Sequence, residues 1–297
     1  MVQQAELFPG FRVVDVDAGG VRVHAVAGGS GPPLLLLHGY PQTHAIWHKV
    51  APRLAHRFTV VAADLRGYGD SGKPATDARH APYSKREMAG DPVAAMRALG
   101  FGRFFLAGHD RGARVAHRLA MDHPDAVAKL AVLDISPTLA MYGQTDMAFA
   151  RAYWHWFFLI QPAPFPETLI GADPAFYLKK KMGSGSAGLA PFAPAAWAEY
   201  GRCFTPEAIH ASCEDYRAAA TIDLEHDRAD REAGLRVACP LLALWGANGV
   251  VERCFKPIED WQRVAADVRG RALPAGHYLP EEVPDLVAQE FETFFGD

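Results

Sequence analysis

The stretch GHDRGARVAHRLA, residues 108–120, decides how the chain is read. The run FFLAG that leads into it suits a strand, and ARVAHRLA has the spacing of a helix. Gly108 and Gly112 flank the junction, so a tight turn joins the two with Asp110 at its tip. Such a turn sets its central side chain at a helix N-terminus, where unpaired N–H groups and the helix dipole favour negative charge. A carboxylate there stays ionised at neutral pH and can attack. Asp is also a good helix cap, but capping alone does not explain the partners found elsewhere in the chain. Arg111 and Arg114 set two cations beside it.

The same design repeats outward from this turn. FRVVDVDAGGVRVHAVAGG reads as two alternating strands around a Gly-Gly turn. PPLLLLHG, FTVVAADLRG, KLAVLDIS and CPLLALWGAN are continuous apolar runs, the mark of strands buried on both faces. Helical patterns such as REMAGDPVAAMRALG separate them, and PDLVAQEFETFF closes the chain as an amphipathic helix. Alternation of this kind predicts an α/β fold with a mostly parallel central sheet and helices on both faces. The rhythm fails between Pro137 and Glu225, where aromatics and prolines crowd RAYWHWFFLIQPAPFPE and PFAPAAWAEYGRCF. A helical cap inserted over the carboxyl ends of the strands is expected there, where open α/β sheets bind ligands. The expected division is a core of residues 1–137 and 226–297 with a cap of residues 138–225.

Composition narrows the function classes. The chain has 297 residues, is 49% hydrophobic and carries a net charge of −4. No basic stripe suggests nucleic acid, and the short run Lys179-Lys180-Lys181 reads as a solvated helix end. MVQQAELFPG lacks the basic and apolar regions of a signal peptide, and LLLLHG is too short to span a bilayer. Cys203, Cys213, Cys239 and Cys254 have no CxxC spacing and no histidine pattern for zinc, which fits reduced thiols in a cytoplasmic protein and no metal site.

A nucleophile on this scaffold needs a base and an acid to orient it. LPAGHYLPEEVPD places His277 on a Gly-His turn after the last strand and before the final helix, the strongest candidate among 13 histidines. The strand LLALWGAN offers no carboxylate at its end until Glu252, whereas AVLDISP ends in Asp134. Asp134 is therefore the expected acid and Glu252 the fallback. Asp64 and Arg66 in DLRGYGDS read as loop supports, and His38 and Ser71 sit off the nucleophile turn.

Taken together, HGYPQ, DLRGYGDS, GHDRG, WGA and AGHY resemble the α/β-hydrolase superfamily over nearly the whole chain. An Asp nucleophile narrows this to haloalkane dehalogenases, epoxide hydrolases and haloacetate dehalogenases. HDRGARV, LDISPT, HWFFL and DYRA resemble the haloacetate (fluoroacetate) dehalogenase family. That resemblance implies a cofactor-free hydrolysis of small 2-halo carboxylic acids. Asp110 would displace halide from carbon with inversion, and water activated by His277 would hydrolyse the resulting ester. Asp134 would fix the imidazole tautomer, and backbone N–H groups near Tyr40 and Arg111 would form the oxyanion hole.

On the same resemblance, Arg111 and Arg114 would clamp the substrate carboxylate through forked hydrogen bonds. A neutral haloalkane or epoxide would leave those charges unpaired. His155, Trp156 and Tyr216 match the family's halide-binding trio, each offering an N–H or O–H donor. KMGSGSAGLAP (Lys181–Pro191) is smaller than the bulky stretch expected of the family, which suggests a wider passage through the cap. A homodimer is also implied. The alternatives are a soluble epoxide hydrolase on the same triad, with Tyr216 and Tyr153 or Tyr200 as donors, and a receptor-like ligand binder.

Overall fold

The computed structural model describes residues 6–185 and 187–296. The first half of the MVQQAELFPG stretch, and Ser186 in the small-residue stretch, lie outside them. The eight strands are β1 (Arg12–Asp17), β2 (Arg22–Gly29), β3 (Pro33–Leu37), β4 (Thr59–Ala63), β5 (Phe104–His109), β6 (Val127–Leu133), β7 (Leu241–Gly246) and β8 (Val268–Leu273). They form one sheet in the order β1-β2-β4-β3-β5-β6-β7-β8. The first two strands make the expected hairpin, β2 runs antiparallel to β4, and every other pair is parallel. Leu34 to Leu37 of β3 and all six residues of β7 are buried, as their unbroken apolar runs require when helices cover both faces. VRGRAL of β8 has no such run. It is a largely exposed edge strand whose side chains need not be apolar.

Two helices flank the central strands, α1 (Lys85–Ala98) and α2 (Arg111–Asp122). Between β6 and β7 come α3 (Thr138–Gly143), α4 (Met147–Ala152), α5 (Trp154–Leu159), α6 (Phe165–Ala172), α7 (Pro174–Gly183), α8 (Pro194–Cys203), α9 (Pro206–Ala220) and α10 (Ile222–Glu232), with no strand among the described residues. The expected boundary at residue 225 falls inside α10. The terminal helix is α11 (Pro284–Gly296). No helix among the described residues is long and apolar enough to cross a membrane.

The register positions the site. His109 pairs with Leu133, and Leu133 pairs with Leu244. The next residues, Asp110 and Asp134, therefore leave neighbouring strands side by side, their N–H groups still bonded to Leu133 O at 3.1 Å and Leu244 O at 2.8 Å. Both have left-handed backbones, with φ of 48° and 53°. Non-glycine residues rarely hold that conformation, and it clusters at functional sites. Gly108 and Gly112 are required by contact: a Cβ on Gly108 would lie 2.5 Å from Gly112 O, and one on Gly112 2.3 Å from His38 O.

Candidate active site

Asp110 sits at the tip of the β5–α2 turn, 3% exposed. Its Oδ1 accepts the Tyr40 N–H at 2.9 Å, and its Oδ2 lies 3.9 Å from His277 Nε2. Burial pushes the carboxyl up, but the His277 ring and the guanidiniums of Arg111 and Arg114 outweigh it and hold the group at about 2. The group is thus ionised and its second oxygen is aimed at the candidate base. The Tyr40 N–H is in place beside this carboxyl group, and Arg111 opens α2, where backbone N–H groups lack intrahelical acceptors.

His277 Nδ1–H donates to Asp134 Oδ2 at 2.6 Å, which leaves Nε2 as the free base. The other Asp134 oxygen accepts Gly246 N–H at 2.9 Å. Complete burial pushes this carboxyl upward, against those two hydrogen bonds. The fallback Glu252 is elsewhere: it is exposed and accepts the Trp245 indole N–H. Two further residues pack against His277. The Tyr153 hydroxyl lies 3.3 Å from Nδ1, and His109 Nε2–H donates to the His277 carbonyl at 2.8 Å with the two rings 4.7 Å apart. Burial and the neighbouring His277 lower His109 to about 3, so it is neutral.

The two arginines differ sharply. Arg111 forks onto Asp215, with Nε to Oδ2 at 3.0 Å and Nη2 to Oδ1 at 2.6 Å, and stacks over the Tyr216 ring at 4.2 Å. Only its Nη1 is left without a partner. Asp215 also takes the Lys85 ammonium and, at 2.6 Å, the Tyr68 hydroxyl. Burial opposes ionisation of Asp215, but Arg111 and Lys85 hold its carboxyl well below the usual range. It lies beside Tyr216 in EDYRA, yet nothing in the pattern separates it from Glu214, and the sequence reading passes it by.

Arg114 has no such counter-ion. Its Nη1 donates to Ser136 O at 3.3 Å and Thr138 Oγ1 at 2.9 Å, its Nη2 meets the Met141 sulfur at 3.0 Å, and its plane lies 4.7 Å over the Trp156 ring. No carboxylate forms an ion pair with it among the described residues, and Nε has no partner. Burial and the adjacent Arg111 push its guanidinium below the usual arginine value.

His155, Trp156 and Tyr216 converge from α5 and α9. Their ring centroids are 5.9 Å apart for His155 and Tyr216 and 6.3 Å for Trp156 and Tyr216. All three are buried, and His155 Nδ1, Trp156 Nε1 and the Tyr216 hydroxyl have no partner. Orphaned buried polar atoms are costly in a finished core, so three together make this cluster a candidate ligand site. Burial keeps His155 neutral and Tyr216 protonated. Tyr200 is already engaged, donating to Glu281 at 2.5 Å, whereas the Tyr153 hydroxyl lies beside an Nδ1–H that is given to Asp134 and keeps its own proton free.

A cavity of about 240 Å³ leads to this cluster and is lined by Tyr153, His155, Lys181, Gly185, Asn248 and His277, among others. Ser184, Gly185 and Ala187 of the small-residue stretch form part of its wall. Lys181 corrects an expectation: only Lys179 and Lys180 are solvated, and Lys181 is 5% exposed. Asp64 and Arg66 support loops as expected. Asp64 accepts His44 and Asp70 N–H groups, and Arg66 forks onto Asp91 at 2.6 Å on both arms. All four cysteines are free.

The α/β-hydrolase fold family model matches residues 32–257, and the chain belongs to that family. A fluoroacetate dehalogenase from a Burkholderia species is 50% identical over 98% of this chain and 96% of its own length. A soluble epoxide hydrolase from Corynebacterium sp. (strain C12) is 36% identical over 93% of this chain and 94% of its own. A Nostoc sp PCC 7120 protein solved as an α/β hydrolase superposes with a TM-score of 0.94 at 56% identity, over 96% of this chain and 98% of the other. Within the superfamily the chain is a hydrolase of the haloacetate dehalogenase family.

Proposed function

We propose that this enzyme hydrolyses the carbon–halogen bond of small 2-halo carboxylic acids, with fluoroacetate the favoured substrate and glycolate and halide as products. The observation that carries the reading is Arg114, a buried guanidinium without a counter-ion one helical turn from an ionised Asp110. An anionic substrate supplies the missing charge. An epoxide or a haloalkane would leave it unmet, at the cost of a buried unpaired ion.

In the proposed reaction the substrate carboxylate bonds to Arg114 and to the free Nη1 of Arg111. Asp110 Oδ2 attacks the halogen-bearing carbon from the side opposite the halogen, forming an ester and expelling halide with inversion. Donors from His155, Trp156 and Tyr216 receive the developing anion, which matters most for fluoride, a poor leaving group in water. His277 Nε2 then takes a proton from water, and the hydroxide adds to the ester carbonyl. The Tyr40 and Arg111 N–H groups receive its oxygen, and collapse releases the hydroxy acid and restores Asp110. Asp134 holds the tautomer and stabilises the imidazolium.

The 50% identical fluoroacetate dehalogenase supports this reading. Against the epoxide hydrolase alternative, Tyr200, one of the three tyrosines considered as donors, already spends its hydroxyl proton on Glu281. The deciding experiment is halide release, followed by ion electrode, from fluoro- and chloroacetate beside diol formation from styrene oxide. Fluoride or chloride release with no epoxide turnover is expected. Epoxide turnover without halide from any haloacid would refute the proposal.

A further inference from the structure

Lys181 closes the last turn of α7 with its side chain buried rather than in water. Among the described residues its ammonium has one hydrogen bond, to the Tyr278 hydroxyl at 3.5 Å, and it faces the rings of Tyr40 and Tyr278 at 6.0 and 5.8 Å. No carboxylate lies within ion-pair distance of it among the described residues, although Asp110 and Asp134 are near enough to attract it. An ammonium carries three donors, and burying one with so few partners costs several kcal/mol. The surroundings are not those of a structural lysine, which would reach solvent or a fixed acid.

Its position supplies the reason. Lys181 lines the access cavity together with His155 and His277, whereas Arg111, Arg114 and Asp110 are not among its lining residues. A small anion in the cavity has the ammonium in its wall and the guanidiniums beyond it, and the ionised Asp110 repels it. We propose that Lys181 is a capture residue: its ammonium binds the substrate carboxylate in the cavity and delivers it past Asp110 to the arginine pair. This rests on the haloacid reading above, and deepens it by separating two carboxylate positions, one for arrival and one for reaction. Lys181 then acts on specificity for anions, and Arg114 on the reacting complex.

The test compares wild type, Lys181→Met, which keeps the stem, and Lys181→Arg, which keeps the charge. With chloroacetate, K181M should lose about tenfold in kcat/KM, through KM, with kcat within about twofold. K181R should recover most of the loss. Acetate association, followed by stopped flow, should slow by a similar factor in K181M. Unchanged kcat/KM and acetate association rate in K181M would overturn the inference. So would a fall in kcat at constant KM, or a loss that K181R does not repair, since either places Lys181 in chemistry or packing instead. If wild type releases no halide from any haloacid, the proposed function fails, and acetate association in K181M still decides whether Lys181 receives carboxylates.

Discussion

Arg114→Met separates a charge kept for binding from one kept for folding. In the resting site Arg114 gives two hydrogen bonds to neutral oxygens, Ser136 O at 3.3 Å and Thr138 Oγ1 at 2.9 Å, and no ion pair. Those bonds, given by a charged donor, contribute roughly 1.5–3 kcal/mol each. Methionine removes them but also removes a buried guanidinium with no counter-charge, and exchanging such an ion for an apolar side chain is often neutral or stabilising. The two effects offset, so Tm should hold within about 2–4 °C or rise. Activity moves the other way. A charge-assisted hydrogen bond to a carboxylate is worth about 1.5–3 kcal/mol, so kcat/KM for fluoroacetate should fall by roughly 10- to 150-fold. Arg111→Met is the control. It strands Asp215 with Lys85 in the core, and breaking a buried pair from one side costs about 3–5 kcal/mol. Tm should then drop by roughly 6 °C or more. Thermal unfolding of the three proteins beside halide-release kinetics checks the pair. A large drop in Tm for R114M with kcat/KM unchanged would refute the reasoning, because Arg114 would then be a structural cation.

Three further outcomes follow from the same geometry. His277→Asn should stop the reaction after halide release, and mass spectrometry should find the peptide containing Asp110 heavier by the carboxymethyl group; one equivalent of halide without that adduct would rule out a covalent ester. Tyr216→Phe removes one of three orphaned donors and should lower fluoride release by about 10- to 100-fold while chloride release from chloroacetate falls several-fold less; equal losses would mean that Tyr216 does not meet the halide. On α10, Asp227 lies between Asp223 and Asp230, and burial followed by those like charges raises its carboxyl to about 6. The fold holds this proton more tightly than the unfolded chain does. The contribution of Asp227 to stability is therefore greatest below the ordinary value of 3.8 and falls by about 1–3 kcal/mol as the pH rises towards 6 and above. Asp227→Asn should raise Tm by several degrees at pH 7.5 and by little at pH 4, and a gain independent of pH would contradict the assignment.

What could be read from the sequence followed the strength of each local signal. The β5–α2 turn announced itself through Gly108 and Gly112, because the chain cannot make that approach with a Cβ present. Strands β3 to β7 were visible because both of their faces are buried, and that demands an unbroken apolar run. The edge strand β8 has exposed faces, so VRGRAL looks like any polar segment. The catalytic candidates were legible where a turn residue and a strand end coincide, as at Asp110, Asp134 and His277. Asp215 and Lys181 were not. Each is a charged residue on a helix among other charged residues, and only packing separates Asp215 from Glu214 or Lys181 from Lys180. A helix such as α9, buried on nearly every side, has no polar face by which Asp215 could be told apart from Glu214, which is buried beside it.

That hidden acid changes what the two arginines mean. Spacing alone makes Arg111 and Arg114 equivalent, two cations beside one carboxylate. In the fold, Arg111 belongs to an alternating chain of charges: Arg111 to Asp215, Asp215 to Lys85, and Lys85 to Asp223 at 3.4 Å. Positive and negative members balance, and they tie α2 and α1 of the core to α9 and α10 above them. Little of the Arg111 charge is left for a substrate. What remains is the Nη1 amino group, its direction fixed by the fork onto Asp215 and by the Tyr216 ring. Arg114 keeps its charge but is held by neutral bonds. On the proposed function, Arg111 sets the angle at which the carboxylate lies and Arg114 supplies the attraction, so the carbon next to that carboxylate is presented to Asp110 in one orientation. The same chain of charges sets the Tyr216 hydroxyl beside the arginines. Placement of the helices above the sheet and alignment of the substrate thus depend on one carboxylate, Asp215, which neither receives the halide nor touches the reacting carbon.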